Sequence, residues 1–326
     1  MTITPAHSFD DFALAQKYKL PIVKIIDEHG NLTDKAGSFA GKNAHESREA
    51  IIEALQKKGL VEKIDENYTH NLSVCYRCST PIEPMPSLQW FIDVNKKIPK
   101  KTASLKELLR DAVESMRVEI LPKRFEKTYF HWIDNLRDWC ISRQIWFGHR
   151  LPVYYCKKDD GGCGEVIVSR TAPKECPKCK SHAIAQDDDT LDTWFSSGLW
   201  TFSTLGWPNK TKELELFHPT SVMETGYDIL FFWVARMIMM SRYALDEVPF
   251  KTVYLHGLVL DEDRKKMSKS HEETLIDPLD VIPKYGTDAL RLSMLVGVTP
   301  GNDLLLGVEK IAGYRNFVNK LWNISR

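Results

Sequence analysis

The cysteines constrain this chain more than any other feature, because six of the seven fall in three close-spaced pairs. Cys75-Tyr76-Arg77-Cys78 is the first pair, and Cys156-x6-Cys163 and Cys176-x2-Cys179 follow as a cluster. The chain opens MTITPAHSFDDFA, with neither the basic stretch nor the apolar stretch of a secretory leader. In a 326-residue chain of this kind, clustered thiols read as metal ligands before disulfides. Thiolates at 156, 163, 176 and 179 suit one tetrahedral structural Zn2+, with four free thiols as the alternative. This places a small, metal-organised insert at 153–182, between two apolar segments. Cys75 and Cys78 make half a site, and Cys140, between Trp139 and Ile141, reads as a buried apolar side chain.

Charge and hydropathy remove several classes. Lys+Arg and Asp+Glu are 44 each, so a globally basic nucleic-acid-binding protein is excluded while a local basic face stays open. The longest apolar run, 229–240, contains Arg236 and falls short of the ~20 residues a membrane helix needs. With 43% hydrophobic and 27% charged residues, the sequence predicts a soluble, cytoplasmic protein of two or three domains.

Local signals place several elements. Ser8 is expected to cap a helix through about Tyr18, with Asp10 and Asp11 in its first turn. Segment 21–26 is β-rich and ends in the turn 27–30. Helical spacing covers 45–58, stopping at Gly59, and again 105–116 and 308–322. Residues 253–256 read as a buried strand preceded by a helix over 230–242. The strand leads through the charged turn 261–264 into Lys266-Met267-Ser268-Lys269-Ser270. Two ammonium groups on one loop suit a triphosphate whose leaving pyrophosphate gathers charge, and the alternative is a solvated basic loop.

The whole pentapeptide resembles the signature loop of class I aminoacyl-tRNA synthetases. The resemblance extends to Thr193-Trp194-Phe195-Ser196-Ser197, FSTLGWP at 202–208, Gly226-Tyr227-Asp228-Ile229, Phe231-Phe232-Trp233 and DWCISRQ at 138–144. FSTLGWP and the GYDI string resemble the valyl branch in particular. RNFVNKLWN at 315–323 is similar to the start of the family's anticodon-binding domain, and Thr4-Pro5-Ala6-His7 to a motif of its editing domain.

This resemblance implies a mixed α/β fold: the second half of a Rossmann-like catalytic domain, a partial β-rich editing domain, a zinc-binding insert and the start of an α-helical anticodon-binding domain. The sheet is expected to be partial and parallel with covering helices, and the N-terminal remnant antiparallel-rich. Residues 1–95 would be the editing remnant and 96–138 a connecting segment. Residues 139–286 would be the second catalytic half with the insert at 153–182, and 287–326 the stem-contact region and first anticodon-binding helix.

The implied activity is that of a valine–tRNA ligase: ATP-dependent activation of L-valine, transfer to tRNA-Val, and editing of mischarged threonine in the intact enzyme. Asp228 matches the residue that holds the valine ammonium, and Trp194, Ile229 and Trp233 match the pocket walls. His256 and Gly257 match the strand end that touches adenosine. Lys266 and Lys269 match the catalytic phosphate-binding lysines, with Met267, Ser268 and Ser270 completing the ATP loop. ATP would bring Mg2+, and Zn2+ would be structural. Thr4 and Asp11 match editing positions that contact the mischarged amino acid.

One family signature is missing. No His-x-Gly-His run occurs; His29-Gly30, Gly148-His149 and His256-Gly257 are the nearest strings. The expectation is therefore a fragment whose partners are tRNA-Val, L-valine, ATP and a polypeptide carrying the N-terminal catalytic half, with no membrane partner. Further departures are His271-Glu272-Glu273 after the lysine loop, Ser8 where the family commonly has Asp, and Thr2 where it commonly has Lys. Two other readings remain open. One is a non-catalytic zinc-bearing RNA-binding module contacting RNA through Lys157, Lys158, Lys178 and Lys180. The other is an incomplete product with exposed Trp-rich faces.

Overall fold

The computed structural model describes residues 3–69, 71–75, 78–99, 101–267 and 276–326. It divides into two compact units, Met1–Leu88 and Gln89–Arg326.

In the first unit Ser8 begins a helix as its sequence position dictates. Its Oγ accepts the Asp11 N–H at 3.3 Å, Asp10 and Asp11 fill the first turn, and the helix runs Phe9–Tyr18. A second helix, Arg48–Lys57, is followed closely by Gly59, whose φ of 68° suits a residue without Cβ. The expected β-rich character is not found. Strand pairing among the described residues of this unit is confined to the single antiparallel bridges Ile26↔Leu32, Asn31↔Asn43 and Val74↔Pro81. Segment 21–26 departs from a strand for a local reason. The amides of Ile25 and Ile26 donate to His7 Nε2 at 3.1 and 3.3 Å, while His7 Nδ1 lies 3.1 Å from Pro84 O. Backbone donors that would build a ladder are taken by an imidazole. The turn at 27–30 does form, with Asp27 Oδ1 accepting from the amides of His29 and Asn31.

The second unit is built on a parallel sheet. Its strands are β1 (Glu119–Leu121), β2 (Thr220–Gly226) and β3 (Phe250–His256), in the order β1-β3-β2. Val253 faces Ile120 on one side and Met223 on the other. Phe250, Val253 and Leu255 are fully buried, as expected of a parallel strand covered on both faces. Residues 96–138 supply β1 together with the helices α1 (Leu105–Glu114) and α2 (Arg124–Asp134). Ser104 and Glu107 cap α1 reciprocally, and Leu105, Leu108, Leu109, Ala112 and Val113 form its buried stripe.

The crossover from β2 to β3 begins differently from the single helix expected over 230–242. A 3-10 turn, Tyr227–Ile229, leads into a π-helical turn, Leu230–Ala235, and then α3 (Arg236–Ala244). Met237, Ile238, Met239 and Met240 of α3 join the core. The cysteine-rich insert is a three-stranded antiparallel sheet of Val153–Cys156, Val166–Val168 and Ile184–Gln186. Its third strand lies just beyond residue 182. After β3, Val259–Leu260 pairs in parallel with Leu304–Leu305. Helices Pro278–Tyr285, Thr287–Leu295 and Val308–Ser325 gather around Val281, Ala289, Leu290, Leu306 and Ile311. Among the described residues no helix is long and apolar enough to cross a membrane.

Candidate functional site

The two longest parallel strands end side by side, Gly226 opposite His256. In open α/β sheets, ligands bind beyond the carboxyl ends of the strands, and the residues that follow these two ends form the site. Beyond β2 come Tyr227, Asp228 and Ile229; beyond β3 comes Gly257. A Cβ at Gly226 would stand 2.6 Å from Asp228 Oδ1, so a side chain there would displace that carboxylate. His256 is half-buried, with Nδ1 2.6 Å from Gly257 O and Nε2 3.4 Å from Glu224 Oε1.

Asp228 and Lys266, expected to meet different parts of a substrate, meet each other: Nζ lies 2.8 Å from Oδ2. The start of the lysine loop is anchored by the Leu260↔Lys266 bridge and by Met267 N–H donating to Val259 O at 3.5 Å. Ser268, Lys269, Ser270, His271, Glu272 and Glu273 lie outside the described residues.

The three expected walls lie on the helix Thr193–Gly198 and on the segment that continues from Asp228. Ile229 follows it directly and is partly buried. Trp194 stacks on Phe232 with ring centroids 5.9 Å apart. Trp233 donates from Nε1 to Ser197 O at 3.0 Å and packs edge-on to Trp200. Both indoles pack against the main core while remaining partly exposed. A cavity of about 230 Å3 is lined by Asp228, Tyr227, Leu230, Phe231 and Trp132 among others, but by none of the three expected walls.

The sequence reading missed two carboxylates. Asp192 is 5% exposed and precedes the helix Thr193–Gly198. Its Oδ2 accepts from Trp139 Nε1 at 2.9 Å and lies 3.1 Å from the Arg143 guanidinium and 3.7 Å from that of Arg236. The Arg236 guanidinium sits 4.2 Å above the Trp139 ring, and burial pulls its pKa down to about 10 against the opposing charge of Asp192. Asp303 accepts from Leu258 N–H at 2.8 Å and from the Tyr227 hydroxyl at 3.1 Å, joining the two strand ends. For Asp192 a signal was available, since an Asp just before Thr-Trp-Phe-Ser-Ser has N-cap chemistry. For Asp303 there was none.

The metal expectation concerns the insert. Sγ of Cys156 lies 3.5 Å from that of Cys179, Sγ of Cys163 lies 3.7 Å from that of Cys176, and all four fall within 4.8 Å of one another. Zinc–thiolate bonds of about 2.3 Å in a tetrahedron put sulfurs about 3.8 Å apart, so the four residues fit the ion. The Ser181 amide, then the neighbouring thiols, pull Cys179 down to about 7. The Cys163 amide works to lower Cys156, but desolvation and the other thiols outweigh it and push Cys156 up to about 12. Gly162 gives the cluster room, since a Cβ there would stand 2.5 Å from Cys156 Sγ. Lys178 and Lys180 pair with Glu165 and Glu175 at 3.0 and 2.9 Å, which offsets two of the four lysines an RNA-binding module would use. For Cys75 and Cys78, no third metal-ligating group joins them among the described residues. Cys140 is half-buried, with Sγ 3.7 Å from Gln89 Oε1. Thr4 and Asp11 contact each other, with Asp11 Oδ2 accepting from Thr4 N–H at 2.7 Å and from its hydroxyl at 3.2 Å.

Parallel strand ends bearing a carboxylate and a glycine, with a lysine just beyond them, define the ligand-binding end of an open α/β sheet. Residues 31–306 match the model of the tRNA synthetases class I (I, L, M and V), and the chain belongs to that family. It is 51% identical over 324 residues to the valine--tRNA ligase of Dehalococcoides mccartyi, covering 99% of this chain and 35% of that protein. It is 49% identical over 327 residues to the valine--tRNA ligase of Clostridium tetani, again covering 99% and 35%. The chain thus spans about a third of the length of these relatives. Its fold is similar to that of Mycobacterium tuberculosis methionyl-tRNA synthetase in complex with methionyl-adenylate. The TM-score is 0.51 at 15% identity, covering 94% of this chain and 54% of that one.

Proposed function

We propose that this chain carries the second catalytic half of a valine–tRNA ligase, activating L-valine with ATP and passing it to tRNA-Val. The observation that carries this reading is Asp228 just beyond the end of β2, paired with Lys266; Trp194, Ile229 and Trp233 would be its walls. The names of the relatives support valine as the amino acid.

In this reading Asp228 takes the valine ammonium in a charge-assisted hydrogen bond. Trp194, Ile229 and Trp233 take the isopropyl group. His256 and Gly257, at the end of β3, would touch the adenosine. The valine carboxylate attacks the α-phosphorus, pyrophosphate leaves, and Lys266 and Lys269 offset the charge that gathers on it, with Mg2+ carried by ATP. A terminal ribose hydroxyl of tRNA-Val then attacks the valyl carbonyl and AMP leaves. Cys156, Cys163, Cys176 and Cys179 would hold a Zn2+ whose contribution is to the fold of the insert.

The remaining assignments belong to the same reading. Residues 1–95, with Thr4 and Asp11, would be the editing remnant, and 96–138 the connecting segment. Residues 139–286 would be the catalytic half, 287–326 the stem-contact region and first anticodon-binding helix, and the cytoplasm the place of action. The His-x-Gly-His signature would be supplied by a polypeptide segment outside this sequence.

Amino-acid-dependent ATP–pyrophosphate exchange tests the proposal. The chain is assayed alone and mixed with the His-x-Gly-His half of a valine--tRNA ligase, with isoleucine and threonine as controls. Exchange that appears in the mixture and prefers valine is expected. Exchange equal with isoleucine, or absent from a mixture shown to be folded and zinc-loaded, refutes it.

A further inference from the structure

We propose that Asp192 is a positioning residue that fixes the width of the amino-acid side-chain pocket; this rests on the valine reading above. Both indole walls depend on one short helix, Thr193–Gly198. Trp194 is part of it, and Trp233 donates its Nε1–H to Ser197 O within it. What anchors that helix therefore sets the distance between the walls.

The anchor is Asp192. Its Oδ1 accepts the Trp194 N–H at 3.4 Å, and its own N–H donates to Ile141 O at 2.7 Å. Its Oδ2 gathers Trp139 Nε1, Arg143 and Arg236. Arg236, whose side chain is 11% exposed, opens α3 directly after the π turn that carries Trp233. Its guanidinium lies 4.2 Å from the Trp139 ring and 6.0 Å from that of Trp194. One buried carboxylate thus ties the wall helix to α3 and to Ser142–Arg143. On the far side the helix lies close against α3, where a Cβ on Gly198 would stand 3.4 Å from Arg236 O. Removing the charge leaves Arg143 its Cys140 and Ser142 carbonyls but leaves the buried Arg236 guanidinium without its carboxylate, which favours movement of α3 against the wall helix.

Asp192→Asn preserves the cap, since Asn caps as well as Asp, and abolishes the charge. The full chain, mixed with the His-x-Gly-His half of a valine--tRNA ligase, is titrated with the valyl and isoleucyl sulfamoyl-adenosines and with AMP. The expected result is a valine-over-isoleucine preference reduced about tenfold, the scale on which one methylene is discriminated, with AMP binding unchanged. An unchanged preference, or an equal loss for AMP, overturns the proposal. Should Asp192→Asn fail to fold, Arg143→Gln at the more exposed end of the network carries the same expectation. Indole 15N–1H resonances give a readout independent of ligand, with Trp233→Phe assigning its signal. Movement of the Trp233 Nε1 signal in Asp192→Asn is expected, whereas a shift confined to Trp139 overturns the anchoring role. If the wild-type mixture binds neither sulfamoyl-adenosine, the valine site itself is refuted and the indole signals alone decide the anchor.

Discussion

Replacing Gly257 with alanine tests the geometry of the strand end directly. A Cβ at 257 would overlap the Asn302 carbonyl and lie 2.6 Å from the Asp303 amide nitrogen. Both obstacles are main chain, so no rotamer change relieves them. The obstructing segment is itself tied to the strand end, Leu258 N–H donating to Asp303 Oδ1 at 2.8 Å and Leu304 N–H to Leu258 O at 2.8 Å. Making room breaks both bonds at about 1 kcal/mol each, on top of about 1–3 kcal/mol for overpacking. The sum, about 3–5 kcal/mol, lowers Tm by roughly 6–20 °C at about 2–4 °C per kcal/mol for a unit of this size. Gly313→Ala is the control, because nothing lies within 4 Å of a Cβ there and the residue sits within the helix Val308–Ser325. It should stabilise by about 0.5–1 kcal/mol. Calorimetry on the full chain reads both variants. A Gly257→Ala protein unfolding within about 2 °C of the wild type would show that the close approach is not required.

Three further outcomes are expected. Cys176→Ser removes a buried thiol from the four-sulfur cluster, so bound zinc should fall well below that of the wild type by metal analysis. Hydrogen exchange should then quicken in residues 153–186 while β3 stays protected, and retained protection in the insert would count against a metal-held fold. Asp228→Asn exchanges a charge-assisted bond for a neutral one and should weaken valine binding by calorimetry roughly 10–150-fold, from about 1.5–3 kcal/mol; undiminished binding would remove Asp228 from the site. Burial lowers the pKa of His218, which lies 3.2 Å from the Ser241 hydroxyl, below its ordinary 6.5. Its neutral form is the native one and the unfolded chain binds the proton more tightly, so stability is full above that value and falls as pH drops through it. The urea midpoint should decline more between about pH 7.5 and about pH 5 in the wild type than in His218→Gln, and parallel declines would exclude His218.

Much of the site was legible in the sequence because its signals are local. Ser8 announces a cap, four cysteines announce one sulfur cluster, and the run 253–256 announces a strand with Gly257 at its end. What stayed hidden depends on partners distant in sequence. Asp303 matters through Tyr227 and Leu258, and Asp192 through Trp139 and Arg236, and no periodicity marks such pairs. Segment 21–26 has strand composition, yet His7 takes its amides first. The Asp228–Lys266 pair was equally invisible, because each residue was read against a ligand and not against the other.

The π turn Leu230–Ala235 has an evolutionary consequence. A π turn closes i→i+5 bonds and so holds one residue more than an α turn. Deleting a single residue there would let ordinary helical bonding run through, leaving Met237–Met240 seated in the core. With β2 held in the sheet, the turn residues between it and α3, Ile229 included, would be re-aimed by about 100° relative to α3. A gene altering this segment by one codon would redraw the lining of the pocket at a stroke while sparing the sheet beneath it. Point substitutions in Trp194 or Trp233, by contrast, would trim the proposed lining without turning it.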